Sequence, residues 1–159
     1  MLFLLSAFFA LACSAPADTT VSGTITTTTW TKDKSPYRVL GPITVPAGNT
    51  LTIEAGVDVL FDADVQFVVQ GGLRAVGTET DSIRFLASAG NDSAEWGGIR
   101  ICGGDSATIQ YARISDGNAD GSYPSFHGGG IYVSGTGTRL DLAHAVLSND
   151  SASQWGGGL

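Results

Sequence analysis

The chain is poor in charge, lysine, histidine and cysteine, and each scarcity closes off a class of protein. Only 14% of its 159 residues are charged, and Lys32 and Lys34 are the only lysines. With a net charge of −7 there is no basic surface to neutralise phosphates, so nucleic acid is excluded as a partner. Cys13 and Cys102 are the only cysteines, too few for a disulfide scaffold. His127 and His144 are the only histidines. Neither has a His or Cys partner at metal-ligand spacing, and no Gly-x-Ser-x-Gly stands near them. No window carries the i, i+3, i+4 apolar spacing of a substantial amphipathic helix. What remains is 43% hydrophobic residues and 22 glycines, a mix that suits short strands joined by tight turns in one domain.

One pattern organises the rest. Trp96-Gly97-Gly98-Ile99-Arg100-Ile101 returns as His127-Gly128-Gly129-Gly130-Ile131-Tyr132-Val133, and Trp155-Gly156-Gly157-Gly158-Leu159 begins it again. Each copy is a glycine corner feeding an apolar strand, with Ile99 and Ile101, then Ile131 and Val133, on one side. The copies lie 32 and 28 residues apart, within the range of stacked repeats. Tyr111–Asp116 also aligns with His144–Asn149 at an offset of 33, which sets Ile109 on Leu142.

Residues 1–17 read as an export leader. The first twelve are almost wholly apolar, too few to span a bilayer. Leu11-Ala12-Cys13-Ser14 resembles the lipobox of bacterial lipoproteins, which would make Cys13 a lipidated first residue and give the only attachment to a membrane; Ala10 departs from the leucine usual there. The alternative is cleavage near Ala15 or Ala17. Either way the expected product is exported, to the cell surface or beyond. Residues 18–36 read as a threonine-rich linker and cap. Eight threonines lie between Thr19 and Thr31, and β-branching favours one capping strand over Val21–Trp30, with Trp30 as its lid.

From Tyr37 to Leu159 the chain alternates strand and turn. Pro46-Ala47-Gly48-Asn49 has the residues of a tight turn. Leu51 and Ile53, then Val57, Val59 and Phe61, then Ile83 and Phe85 point inward. An isolated strand pair is marginal in water, but coils stacked about 4.8 Å apart bury such residues at about 1.5–3 kcal/mol each. A β-sandwich would want hairpin turns, and a propeller a blade of about 40 residues. The fold expected is all-β, a parallel β-helix. Because the chain ends at Leu159 inside a strand without the polar cap of a solenoid, it is expected to be the N-terminal piece of a longer one.

A resemblance agrees with this. The stretch from Ile43 through Ala55-Gly56-Val57, then Gly72-Leu73-Arg74-Ala75-Val76-Gly77-Thr78, then Trp96–Ile99, resembles secreted bacterial right-handed parallel β-helix proteins of pectate-lyase-like fold. Ser148–Leu159 resembles the repeat of polymorphic outer-membrane proteins. The resemblance covers 37–159 and implies the fold more than any activity, because this fold carries lyases, hydrolases, adhesins and passenger domains.

Candidate chemistry is sparse. Asp116-Gly117-Asn118-Ala119-Asp120-Gly121 has the alternate-oxygen spacing of a calcium turn, with Asp116, Asn118 and Asp120 as ligands; Pro124 and His127 at the ninth and twelfth positions exclude an EF-hand. Asp62 and Asp64, at i, i+2, would share a strand face, as paired carboxylates of a glycoside hydrolase do; the competing reading is a solvated turn. Arg100, Arg113 and Arg139 fall on successive coils and could line an acidic polysaccharide, a layout similar to polysaccharide lyases of this fold. Tyr123, Phe126 and Tyr132 could stack on sugar rings. Cys102 reads as a small buried thiol. Because no acid, base and metal set is complete, the favoured function is a structural, adhesive or display domain of the cell surface. The alternative is a polysaccharide lyase, glycoside hydrolase or sugar-binding fragment.

Overall fold

The computed structural model describes residues 18–90, 95–120 and 127–159. The leader, Cys13, Tyr123, Phe126 and the last residue of the Asp116–Gly121 motif lie outside them. Among the described residues, apart from a three-residue 3-10 turn at Lys32–Lys34, all regular structure is strand. The strands are β1 (Thr19–Thr24), β2 (Thr28–Trp30), β3 (Tyr37–Val45), β4 (Thr50–Ile53), β5 (Asp58–Phe61), β6 (Phe67–Val69), β7 (Gly72–Val76) and β8 (Ile83–Ala87). They continue as β9 (Ile99–Cys102), β10 (Ser106–Gln110), β11 (Ala112–Ser115), β12 (Asn118–Ala119), β13 (Ile131–Ser134), β14 (Arg139–Ala143), β15 (Val146–Ser148) and β16 (Ser151–Ala152).

Every strand pairing is parallel. The first face stacks β1, β3, β5, β8, β11 and β15; the second stacks β1, β3, β6, β9 and β13; the third stacks β2, β4, β7, β10 and β14. β3 belongs to two faces because Tyr37–Val39 pairs with β5 while Ile43–Val45 pairs with β6. Gly41-Pro42 stands between, where proline cannot donate to a ladder. The chain thus winds round a three-sided coil, and crossovers between parallel strands are right-handed almost without exception. The result is a right-handed parallel β-helix.

The inward register follows the alternation in the sequence. Leu51, Val57, Val59, Phe61, Ile83, Phe85, Ile99 and Ile131 are fully buried, Ile53 and Ile101 nearly so. Ile109 pairs with Leu142 as expected. Two local expectations change. The single strand over Val21–Trp30 is two, β1 and β2, because the chain must turn at a corner to stay on the outline of the coil below; Ile25, between them, points into the core. Trp30 does lid the core, stacked on Tyr37 with ring centroids 4.6 Å apart. Cys102 takes the outward position of β9 and is half-buried with a free thiol.

Successive coils lengthen. On the first face Tyr37 pairs with Val59, Val59 with Phe85, Phe85 with Ile114 and Ile114 with Leu147. The added residues fall mainly at one corner, between the first and second faces. There β3 simply bends, while the chain spends residues 62–66, then 88–98, then 116–130 (which include β12) before the strand of the second face. Insertions at a corner project outward and leave the core unchanged.

Candidate functional site

The corner that lengthens gathers most of the chemistry. Trp96 starts the glycine corner of its coil fully buried, stacked 3.8 Å from Phe61, and its indole N–H donates to the Ser115 carbonyl at 2.8 Å. Glycine is required next to it: a Cβ on Gly98, at φ +74, would lie 2.2 Å from the Gly129 carbonyl oxygen. In the following coils Gly128, Gly129, Gly130 and Ile131 donate in turn to the carbonyls of Trp155, Gly156, Gly157 and Gly158. Backbone approaches this close leave room for hydrogen only.

Asp116 and Asn118 each hold partners of their own. Asp116 has a left-handed φ of 67; its carboxylate accepts from Ser115 Oγ at 3.0 Å and Asn149 Nδ2 at 3.4 Å. Asn118, in β12, donates to Glu95 Oε2 at 2.7 Å and accepts from Ser151 Oγ at 3.0 Å. Asp120 and Glu95 lie close enough to Asp64 for their charges to act on it. These two and burial, which dominates, raise the Asp64 carboxyl above its ordinary range. Asp62 and Asp64 diverge as well, because residues 62–64 bend and alternation is lost. Asp62 accepts from Arg38 Nε at 2.7 Å and from the Ser88 hydroxyl, so the carboxylate pair does not form. The grouping of Asp64 with Glu95 and Asp120 escaped sequence reasoning; the signal was there, since 31 and 25 residues separate them, close to one coil each. Among the described residues no group of three or more His, Cys, Asp or Glu is arranged to hold a metal ion.

The three arginines occupy three different faces. Arg100, on β9, is buried; its guanidinium donates to the His127 and Gly128 carbonyls and lies 5.5 Å from the Tyr132 ring centre. Burial lowers its pKa below the usual arginine value. Arg113 on β11 and Arg139 on β14 are exposed. A line of arginines therefore does not exist, because a coil takes 33 residues at this level and the offsets of 13 and 26 fall short of it. Tyr132, half-buried beneath Arg100, braces the corner.

Other charges link coil to coil. Arg38 bridges Asp62 and Asp18, Arg84 bridges Asp58, and Lys32 bridges Asp81 at 2.7 Å. Hydrogen bonding to Asp62 and Asp58 raises the pKa of Arg38 and Arg84 respectively. Across the opposite corner Tyr111 and His144 stack, and with Arg113, Glu79, Thr78 and Ser82 they border a groove of about 520 Å³.

The coil geometry has a counterpart among known families. The profile of the pectate-lyase-like β-helix domain matches residues 23–107, more than half of the chain. The chain belongs to this family. No curated protein and no solved structure matches it. Membership in the pectate-lyase-like β-helix family points to a cell-surface or carbohydrate-related role, and the match runs from β1 into β10, across the coils that carry the Arg38, Arg84 and Trp96 contacts.

Proposed function

We propose that this β-helix domain is an exported element of the cell surface with a structural, adhesive or display role. The observation that carries this reading is where its polar side chains go. Arg38, Asp58, Asp62, Arg84, Ser88, Asn118 and Ser151 are each spent on a partner in an adjacent coil. Groups that would supply acid, base or cation ligands in an enzyme serve here as struts between rungs. Such a stack presents a long, stiff surface whose outward loops vary without cost to the core.

The test uses the whole chain expressed in cells. Surface labelling and external protease should reach it, and the purified chain should release no unsaturated, ultraviolet-absorbing product from pectin-like polysaccharide with calcium present. Accumulation of that product, or a chain retained wholly inside the cell, would overturn the proposal.

A further inference from the structure

The corner between the third face and the first carries a groove built from three successive coils. In the first of them the chain spends residues 77–82 on the turn from β7 to β8. In the second Tyr111 alone joins β10 to β11, and in the third His144-Ala145 joins β14 to β15. The longer turn is a ledge beside two tight ones. It is tied down: the Asp81 N–H donates to Thr78 Oγ1 at 3.0 Å, the Thr78 N–H donates to the Asp81 carbonyl at 3.1 Å, and Lys32 holds the Asp81 carboxylate at 2.7 Å. Between this ledge, the Tyr111–His144 stack, Arg113 and Val146 lies the space of about 520 Å³.

Arg113 brings an unmatched charge to that space. On the first face its outward row runs Asp58, Arg84, Arg113, Val146, one residue per coil. Arg84 gives its guanidinium to Asp58 on the coil before. Among the described residues no carboxylate bridges Arg113. Two arginines at directly neighbouring positions repel, and the chain does this with 15 acidic residues to choose from. The row is one carboxylate short where it meets the groove.

We propose that the groove binds a carboxylate carried on an apolar body, with Arg113 as its clamp. A guanidinium takes a carboxylate through two parallel N–H donors. Tyr111 and His144 give their facing surfaces to each other, so to a groove that crosses both coils they present ring edges. Those edges are the positive rim of the aromatic quadrupole, which suits a carboxylate and offers no flat platform for a sugar ring. Glu79, exposed on the ledge, repels a second negative charge and so favours a monocarboxylate over a polyacid. Val146 stands next to Arg113 in the outward row, on the flank of the stack, and receives the apolar body.

The test titrates the whole chain at constant ionic strength with hexanoate and with its uncharged counterpart, hexanamide. Of the two histidine ring signals in the proton NMR spectrum, the one that His144→Asn removes should shift saturably with hexanoate and stay in place with hexanamide. Arg113→Gln changes an exposed outward position. It should melt no lower than the parent, because the repulsion from Arg84 is gone, and should bind hexanoate about tenfold more weakly or worse. A short peptide ending in leucine, with its carboxylate free or amidated, separates the two sources of such a group. Tighter binding of the free-ended peptide than of hexanoate assigns a chain end, and weaker binding assigns a small acid. The proposal is overturned by the absence of a saturable shift, by equal binding of hexanamide, or by an Arg113→Gln chain that binds hexanoate like the parent. Tighter binding of galacturonate oligomers than of hexanoate also overturns it, since the body would then be a sugar.

Discussion

Tyr111 and His144 stand one coil apart with ring centroids 4.4 Å from each other and planes 7° from parallel, and both hold left-handed backbone, at φ 48 and 51. The conformation costs an L-residue about 1–2 kcal/mol, and an aromatic stack returns about 0.5–1.5 kcal/mol. The two effects nearly offset. Tyr111→Gly, which loses the stack and relieves the backbone, should change unfolding free energy by less than about 1 kcal/mol. Tyr111→Val loses the stack and sets a β-branched residue at the same φ, so it should cost about 2–3 kcal/mol. Urea denaturation of both variants checks this, and equal losses would remove the strain from the account.

Burial along the stack orders the core substitutions. Ile99 is fully buried between coils, so Ile99→Asp strands a charge without a partner and should abolish the folded state. Ile99→Ala should cost about 2–5 kcal/mol. Leu142→Ala, on the uncovered end, should cost less than half as much because part of that side chain already meets water. Circular dichroism melts of the three rank them, and an Ile99→Asp chain melting like the parent would mean that the inward register is wrong.

What the sequence made legible was whatever repeats. Alternation placed Leu51, Val59, Phe85 and Ile99 inside, and the 33-residue offset set Ile109 on Leu142 and Tyr111 on His144, because stacking forces equal positions in successive coils to meet. What failed depended on which face a residue reaches. Arg100, Arg113 and Arg139 follow one another along the chain at 13 and 26 residues, yet a coil takes 33 at this level, so they turn to three faces. The spacing of Asp116, Asn118 and Asp120 carries no mark of the coil that follows it. Here a short strand, β12, runs through it and sends Asn118 to Ser151 of the next coil.

The glycine corners give a steric prediction. A Cβ on Gly129 would fall 2.0 Å from the Ser151 carbonyl oxygen, whereas one on Gly48, at φ +77, meets nothing within 4 Å. Gly48→Ala should therefore cost only about 1–2 kcal/mol, the left-handed penalty alone. Gly129→Ala must push two coils apart or break the run of backbone bonds to Gly156 and Gly157, and should cost at least about 3 kcal/mol. Thermal melts of the pair separate close packing from conformational freedom; similar losses would show that the coils yield at that point.

Asp150 makes stability depend on pH. Its Oδ1 accepts the Gly117 N–H at 2.9 Å, while Oδ2 is shielded from solvent without a partner. Burial, assisted by Asp116 and opposed by the Gly117 hydrogen bond, pushes its carboxyl up to about 6. The ordinary aspartate value is about 3.9, so the folded chain binds this proton more tightly than the unfolded chain does. Its contribution is therefore fully present below about pH 4 and is lost as pH rises through about 6. Two pKa units correspond to at most about 3 kcal/mol, and partial exposure reduces that to about 1 kcal/mol. Asp64, raised for the same reason, adds a smaller slope of the same sign. Asp150→Asn keeps an acceptor for Gly117 and removes the charge, so it should melt higher than the parent at pH 7 and match it near pH 4. Melting curves of both chains from pH 4 to 7 decide the point: a parent that gains stability over that range, or a variant with the same slope as the parent, would place the Asp150 carboxylate in water.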